Sequence, residues 1–329
     1  MNPLLHPGFR AVFSEPRLTL GLFFPIEAYR GDTPTMVGQD ALARRAEELG
    51  FAALWFRDVP LRDPAFGDVG QIYDPWVYLG HVAALTRKIA LATGAIVLPV
   101  RHPLHTAKAA ASVDCLSAGR FVLGVASGDR QAEAVAFGVS LESRAELFRD
   151  HVRVLRSAWT ESPPSVLPPH LAPHGLELVP RPLHGEVPIL VVGRSQQSLE
   201  WIARQAQGFV TYPRPPAQQQ RVIGEYRAAA EEAEVVPHVA QALYVDLLEE
   251  KNAAPRPIHL GWALGREPLM VLLESYRRIG IAHVILNLKY GSRPAAEVVE
   301  EIGSEVLPWL TGRRSVPSPP AQDTVPDAA

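Results

Sequence analysis

Residues 191–205, VVGRSQQSLEWIARQ, place polar groups between an apolar run and a helix pattern. Gly193 permits close approach of the backbone, and Ser195 adds a hydroxyl to the free N–H groups of a helix start. Together with the charge of Arg194, these groups would bind an anion such as phosphate. The alternative is that Ser195 only caps the helix, and the local sequence by itself favours the cap.

A second polar stretch, GVASGDR at residues 124–130, also follows an apolar run. Its small residues leave space for the edge of a ligand, and Ser127, Gly128 and Arg130 offer backbone and side-chain contacts. The alternative is an ordinary turn between a strand and a helix, in which Asp129 caps the helix.

A third segment combines small residues with two histidines. Gly94 and Ala95 interrupt the apolar run 89–98, and a small pair there predicts either close approach of a flat ligand or a bulge. His102 and His105 have side chains that exchange protons near neutral pH. Their alternative is a position on the surface or at the start of a helix.

The fourth candidate is FRDVP at residues 56–60, where Arg57 and Asp58 come directly after an apolar run. Barrel enzymes keep reactive groups at this position, and a structural contact between neighbouring loops is the equal alternative. The sequence contains no Walker P-loop, HExxH, CxxC or GxSxG motif. We therefore predict no metal site.

Strand and helix patterns alternate along the chain. Apolar runs predict strands over 18–24, 52–56, 89–98, 121–125, 188–192, 208–212, 239–247 and 283–288. Helical spacing predicts helices over 37–49, 76–86, 104–116, 143–160, 195–207, 217–233, 268–279 and 295–310. Eight such units predict an α/β protein with one (β/α)8 TIM barrel. An open doubly wound sheet is the alternative, but LGLFFPIEAYRG after the first run is no GxGxxG turn.

The barrel is expected to span residues 18–310. Residues 1–17 read as a loosely attached N-terminal arm. Residues 311–329 are rich in Pro, Ser and Asp, so we expect a disordered tail.

Composition narrows the class of partner. Apolar residues make up 47% of the chain, charged residues 20%, and the net charge is −3, so neither nucleic acid nor a membrane surface is an expected partner. The single cysteine cannot form an internal disulfide, and we find no signal peptide or membrane span. These features predict a cytoplasmic protein.

Taken together, these segments resemble the bacterial luciferase-like monooxygenase family over residues of about 18 to 310. The strongest match is ATGAIVLPVRHPLHTAKAAASVDCLSAGRFVLGVASG, and ELGFAALWF, PILVVGRSQQSLEWIA and EVLPWL match in order. FRDVPLRDP and GDVGQIYDP are similar to a subgroup of luciferase-type oxidoreductases.

The resemblance implies a barrel that binds a flavin, usually FMN, at its carboxyl-terminal mouth. It implies a non-prolyl cis peptide at Gly94–Ala95 beneath the flavin ring, with the loop 126–130 beside the phosphate and ribityl chain. It also implies that the FMN phosphate is bound by residues after the fifth strand, namely Arg194, Ser195 and Ser198.

The sequence departs from the luciferases at three positions of this resemblance. Val59 stands where luciferases have a catalytic histidine, and Ala126 where they have a reactive cysteine. Ser127 replaces their phosphate-binding arginine, so Arg194 or Arg130 must supply the cation. We therefore expect flavin binding without light emission.

The expected function is an FMN-dependent monooxygenase that uses reduced FMN and O₂ on a small organic substrate. Reduced FMN would come from a flavin reductase or from NAD(P)H directly. The alternatives are a deazaflavin-dependent dehydrogenase or reductase and, in another class, a non-catalytic flavin-binding protein. A homodimer formed through the helices after the second and third strands is also expected.

The residues nearest the reacting groups are expected in two places. Arg57, Asp58 and His102 would supply polar groups near the ring. The long loop 57–75 would form the substrate wall with its aromatic and apolar side chains, Phe66, Ile72, Tyr73 and Trp76.

Overall fold

Eight parallel strands close into a barrel in the computed structural model, which describes residues 3–13, 17–67 and 70–312. The barrel strands are β1 (Thr19–Phe23), β2 (Ala53–Phe56), β3 (Ala90–Thr93), β5 (Phe121–Ala126), β6 (Ile189–Val192), β7 (Gly208–Thr211), β8 (Val239–Leu247) and β11 (His283–Asn287). Three short strands are added to them: β4 (Ile96–Val97), β9 (Arg256–Ile258) and β10 (Gly261–Leu264). β11 pairs with both β8 and β1, which closes the sheet. The predicted (β/α)8 barrel is confirmed, and the open sheet is excluded.

The helices surround this barrel, and most of them lie close to the predicted ranges. They are α1 (Pro7–Val12), α2 (Gln39–Leu49), α3 (Pro75–Leu85), α4 (Pro103–Leu116), α5 (Gln131–Ala136), α6 (Arg144–Thr160), α7 (Leu199–Gln205), α8 (Pro216–Glu232), α9 (Arg266–Ile279), α10 (Ala295–Glu301) and α11 (Leu307–Leu310). A π-helical turn, Ile302–Val306, joins α10 to α11 inside the predicted closing helix. No helix in the described part of the chain is long and apolar enough to cross a membrane.

The amino-terminal segment is packed against the barrel. Phe9, Val12 and Phe13 are at most 1% exposed and form one cluster with side chains of the barrel interior. His6 Nε2 lies 2.9 Å from Asp114 Oδ1, and both side chains are fully buried. The expected loose attachment is therefore wrong for residues 3–13, because an apolar stripe on α1 closes the amino-terminal end of the barrel. The predicted disordered tail lies outside the described residues from position 313 onward.

The predicted third strand is divided in two. β3 ends at Thr93, β4 begins at Ile96, and the Gly94–Ala95 peptide between them is cis, which confirms the expectation from the family resemblance. Thr93 Oγ1 donates to the Gly124 carbonyl at 2.8 Å and accepts from the Gly124 N–H at 2.9 Å. A Cβ atom at Gly124 would overlap the Thr93 carbonyl oxygen, so only glycine permits this approach. Where the strand bends, the Thr93 side chain thus takes the place of the backbone hydrogen bonds that normally join neighbouring strands.

A small ribbon extends the mouth of the barrel after β8. β10 pairs in parallel with the end of β8, and β9 pairs antiparallel with β10. Only His259 and Leu260 connect β9 to β10, so the turn of this hairpin is tight. The sequence patterns did not predict the ribbon, because its strands are only three and four residues long.

Candidate active site

A cavity of about 570 Å³ opens at the carboxyl ends of the barrel strands. Residues at or after all eight barrel strands line it. They include Phe23, Arg57, Asp58, Val59, Phe66, Gly94, Ala95, Val97, Ala126, Ser127, Gly128, Asp129, Arg130, Glu133, Gly193, Ser195, Tyr212, Tyr244, His259, Leu260 and Asn287. Of the predicted site residues, only His102, Arg194 and Ser198 are absent from this lining. The mouth of the barrel therefore gathers most of the predicted groups around one space.

Small residues form one face of the cavity. Gly94 and Ala95 line it between β3 and β4. A Cβ atom at Gly94 would lie 2.8 Å from Phe23 Cε1 and 3.2 Å from Trp55 Cε3. The close packing behind Gly94 leaves no room for a side chain, so the backbone itself forms this surface and can meet a flat ligand.

Backbone turns form a cradle beside this face. Gly128, Gly193 and Ser195 have positive φ angles of 83°, 61° and 46°. The N–H of Ser127 donates to Ser195 Oγ at 3.2 Å, and that hydroxyl donates to the Val192 carbonyl at 3.0 Å. The two loops are thereby joined with their backbones turned toward the cavity, an arrangement that suits an anion.

The cap of α7 is Ser198 rather than Ser195. The N–H of Trp201 donates to Ser198 Oγ at 3.2 Å, and Ser198 is exposed outside the cavity. The cap alternative for Ser195 is therefore wrong, since α7 begins only at Leu199. The expected phosphate contact of Ser198 is corrected as well, because this residue is exposed and lies outside the cavity lining.

The predicted cations occupy different positions. Arg194 is half exposed, pairs with Glu225 Oε2 at 3.2 Å, and points away from the cavity, which corrects its expected role. Arg130 is 8% exposed, lines the cavity and stands 4.4 Å over the Phe66 ring. Sequence reasoning missed Arg144, whose Nη1 donates to the Gly128 carbonyl at 3.0 Å at the edge of the cradle.

Asp58 is a buried carboxylate whose two oxygens are both bonded. Arg101 donates to Oδ2 at 2.8 Å and to Oδ1 at 2.6 Å, and the N–H of Val97 donates to Oδ2 at 3.1 Å. Burial by itself would lower the pKa of Arg101, but the hydrogen bonds and charges of Asp58 and Asp74 raise it overall. Asp58 thus fixes the chain around β4, which was the structural alternative for this residue. The other half of its motif, Arg57, also lines the cavity.

His102 lies at the start of α4 rather than at the cavity. Its Nδ1 accepts a hydrogen bond of 3.3 Å from the N–H of Leu104, and its ring packs edge-on against His105. The expectation that His102 reaches a bound ring is corrected, because the turn Leu98–Val100 leads the chain out of the mouth before this residue.

The predicted substrate wall is only partly formed. Phe66 lines the cavity, whereas Ile72 and Tyr73 are 44% and 51% exposed outside it. Trp76 packs against the ring of Phe121 at the outer core. The wall is instead completed by Tyr212, Tyr244 and the hairpin residues His259 and Leu260.

Comparison with known proteins agrees with this geometry. The family model for luciferase-like monooxygenases matches residues 19–298. The chain belongs to this family. An uncharacterized protein of Mycobacterium tuberculosis is 34% identical over 202 residues, covering 56% of this chain and 69% of that protein. The alkanal monooxygenase alpha chain of Photorhabdus luminescens is 29% identical over 164 residues, or 50% of this chain and 44% of that one.

Solved structures share the fold of this family member. Monooxygenase RslO1 from Streptomyces bottropensis aligns with a TM-score of 0.72 at 22% identity, covering 89% of this chain and 99% of that one. An F420-dependent secondary alcohol dehydrogenase, in complex with an F420–acetone adduct, aligns with a TM-score of 0.71 at 18% identity, covering 88% and 98%. These structures support the luciferase-like barrel.

The departures from the luciferase pattern all border the cavity of this family member. Val59, Ala126 and Ser127 each contribute to its lining. None of these side chains can serve as an acid or base near neutral pH. A proton exchange at this site would need other residues.

Glu133 is the cavity residue that sequence patterns were least able to reveal. It lies on α5, a helix of six residues, and is 5% exposed. The N–H of Leu61 donates to Oε1 at 3.3 Å. Burial raises the pKa of Glu133, the Leu61 N–H and Arg130 oppose the rise, and the charges of Asp58 and Asp129 add to it. By contrast, Tyr212 directly follows β7 and Asn287 is the last residue of β11, so their position at strand ends could have revealed them.

Proposed function

We propose that the protein is an FMN-dependent oxidoreductase of the monooxygenase type, acting on a small organic substrate with reduced FMN and O₂. The observation that carries the proposal is a single cavity that joins the small-residue face at Gly94–Ala95 to the backbone cradle at Ser127–Gly128 and Gly193–Ser195. A flat ring with a phosphate tail has this combination of requirements. The cavity volume is within the range of small-molecule and cofactor sites.

The residues of the site have separate tasks in this proposal. Gly94 and Ala95 would support the ring, while backbone N–H groups of the cradle, including that of Ser195, would hold the phosphate, with Arg130 or Arg144 contributing positive charge. Reduced FMN, when bound, supplies the electrons and activates O₂. The remaining cavity beside Phe66, Tyr244 and the hairpin would take the substrate.

The loop 57–67 would exclude water from this space. Other loops hold it at several points: Arg62 Nε lies 2.9 Å from Asp32 Oδ2, and Lys289 Nζ donates to the Gly67 carbonyl at 3.4 Å. Glu133 and Arg130 contact Leu61 and Phe66 of the same loop. Exclusion of water strengthens every polar interaction inside the site.

Two alternatives remain within reach of experiment. A deazaflavin-dependent hydride transfer is supported by the shared fold of the F420-dependent alcohol dehydrogenase. A non-catalytic flavin-binding protein would use the same cradle without turnover. The likeness in sequence to an alkanal monooxygenase supports the monooxygenase proposal over hydride transfer.

Further parts of the proposal concern partners and location. A flavin reductase, or NAD(P)H directly, would supply reduced FMN. A homodimer would pair α3 and α4, where Val77 and Leu116 are 74% and 69% exposed. We place the protein in the cytoplasm on the basis of its single cysteine.

The phosphate assignment is tested by titrating the purified protein with FMN and riboflavin. Ser195→Asp puts a carboxylate into the cradle, so the Kd for FMN should rise at least about tenfold. Because riboflavin lacks the phosphate, its Kd should change little in Ser195→Asp. Ser198→Asp is the matched control, because aspartate still caps α7 outside the cavity. If Ser195→Asp weakened the binding of FMN and riboflavin equally, or weakened neither, the cradle would not be the phosphate site.

The choice of cofactor is tested by titration with FMN and F420 in parallel, each oxidised and reduced. The FMN proposal expects tighter binding of reduced FMN and O₂ uptake that depends on added substrate. Tight binding of F420 with no O₂ uptake would favour the hydride-transfer alternative. Flavin binding without turnover of any donor or substrate would favour the non-catalytic protein.

A further inference from the structure

One carboxyl group of the cavity lining forms a hydrogen bond through only one of its oxygens within the part of the chain that the structure describes. Glu133 is 5% exposed and lines the cavity, and its Oε1 accepts the N–H of Leu61. Its Oε2 forms no hydrogen bond within the described chain. Oε2 is not one of the fully buried polar atoms that lack a partner, so it is open to the cavity and can bond to a ligand there.

The other carboxyl groups of the described lining are engaged or exposed. Asp58 has both oxygens bonded to Arg101 and Val97, and Asp129 is exposed at the rim. Guanidinium groups such as those of Arg57 and Arg130 stay protonated and cannot exchange a proton at neutral pH. Glu133 is thus the buried carboxyl of this lining with an oxygen available to a ligand.

We propose that Glu133 holds a proton at Oε2 and donates it to a carbonyl oxygen of the bound substrate. The proposal rests on the proposed function, which names reduced flavin with O₂, or reduced deazaflavin, as the source of the nucleophile. As the nucleophile's electron pair forms a bond to the carbonyl carbon, the C=O π pair moves to oxygen. That oxygen takes the proton from Oε2, and water later returns a proton to the carboxylate.

The surroundings of Glu133 favour the protonated form. Burial raises its pKa, and Asp58 from the loop after β2 and Asp129 from the loop after β5 act in the same direction. The Leu61 N–H and Arg130 oppose them only in part. A carboxyl group retained as an acid toward neutral pH is suited to donate a proton during turnover.

A purely structural role for Glu133 makes a different prediction. Its bond to Leu61 could serve only to hold the loop 57–67. Glu133→Gln keeps an oxygen acceptor for Leu61 and nearly the same volume, but it cannot exchange a proton. Glu133→Asp keeps the acid and shortens its reach. Comparing Glu133→Gln with Glu133→Asp therefore separates a role in positioning the loop from a role in proton transfer.

The deciding measurement uses the full chain without cofactor. Protein labelled with ¹³C at the glutamate carboxyl is titrated by NMR, and the Glu133 resonance is assigned by its loss in Glu133→Gln. Glu146→Gln, on the exposed face of α6, is the matched control. The resonance should titrate above the ordinary glutamate value and shift on addition of acetophenone but not of ethylbenzene, which lacks the carbonyl. Titration at or below the ordinary value, or no response to acetophenone, overturns the proposal.

Turnover provides the second readout. With the cofactor that the wild type binds, Glu133→Gln should lower kcat about 100-fold or more and remove one limb of the pH profile, while Glu133→Asp retains part of both. The Kd of the cofactor should stay within about twofold. A kcat in Glu133→Gln within threefold of wild type overturns the proposal. Failure of the wild type to bind either cofactor refutes the proposed function instead, and the NMR titration still decides the role of Glu133.

Discussion

Two polar residues at opposite ends of the barrel, His283 and Glu133, are hydrogen-bonded to different extents. At the amino end, Trp55 Nε1 donates to His283 Nε2 at 3.0 Å, and the other ring nitrogen lies 2.7 Å from Thr19 Oγ1. Thr19 Oγ1 in turn donates to the Val12 carbonyl at the end of α1. At the carboxyl end, Glu133 is 5% exposed, and one of its oxygens has no hydrogen-bond partner in the described chain.

Arg120 shows the same completeness at the amino end. Its Nε and both Nη atoms donate to four carbonyl oxygens and to the Thr86 hydroxyl. Its buried charge therefore holds loops together and is not open to a ligand. The contrast teaches that burial alone does not identify a ligand-binding group, and that an oxygen left open to a cavity is the better guide. Mutations at the amino end should affect stability, and mutations at the mouth should affect ligands.

The largest expected effect tests the amino end. Phe9→Ala should lower the free energy of unfolding by about 3–5 kcal/mol, because it empties a fully buried site between α1 and the barrel interior. The affinity of the folded protein for FMN should change less than twofold. Val271→Ala is the control and should stay within about 0.5 kcal/mol, since Val271 is 55% exposed on α9. A large loss of FMN affinity in folded Phe9→Ala would contradict the claim that the amino end affects stability but not ligand binding.

A pH-dependent effect of intermediate size concerns His283. Burial lowers its pKa to about 3, so the folded state keeps it neutral while the unfolded state binds a proton near pH 6.5. The stability from this residue is present above about pH 6.5 and is lost as the pH falls toward 3. Between pH 7 and 5 the loss should be about 2 kcal/mol.

The measurement compares unfolding free energies of the wild type and His283→Gln across this pH range. The variant should be less stable at pH 7 and should show a smaller decline toward pH 5. His170→Gln, at an exposed histidine, should leave the slope unchanged. Parallel slopes for wild type and His283→Gln would show that the buried histidine is not neutral in the folded state.

The smallest effect sharpens the contrast at the mouth. The folded pKa of Glu133 is raised, so its ionisation in the folded state costs stability as the pH rises through that value. Glu133→Gln avoids this cost and should raise the free energy of unfolding at pH 8 by about 0.5–1 kcal/mol. The gain should shrink toward pH 4.5. If Glu133→Gln were instead less stable than the wild type at pH 8, Glu133 would have a stabilising role like that of His283.

The order of strands and helices could be predicted well because long apolar runs and helical spacing reflect burial directly. The exceptions are short elements. α1 has six residues, and its apolar stripe has meaning only under a barrel that it can close. α5 and the β9–β10 hairpin are likewise too short for periodicity to appear. Local patterns therefore missed the elements that seal one end and shape the other.

The cavity lining was predictable where backbone atoms, rather than side chains, form its surface. Gly94, Gly128 and Gly193 were identified from their type and their position after strands, and all of them line the cavity. Long side chains were harder to place. Arg194 turned outward to Glu225, and Arg144 reached the cradle from another helix. The position of a charged group several bonds from its Cα depends on partners that are distant in sequence.

The sequence by itself determined the alternation of strands and helices. It also determined that the cavity lies at the strand ends and that glycines form part of its surface. Those features follow from local burial patterns and from residue size. Only the tertiary structure decided which titratable groups reach the cavity: Glu133 and His259 line it, whereas His102 lies outside it. The reason is that each polar side chain bonds to the partners its neighbourhood supplies, and loops folded from separate parts of the chain create that neighbourhood.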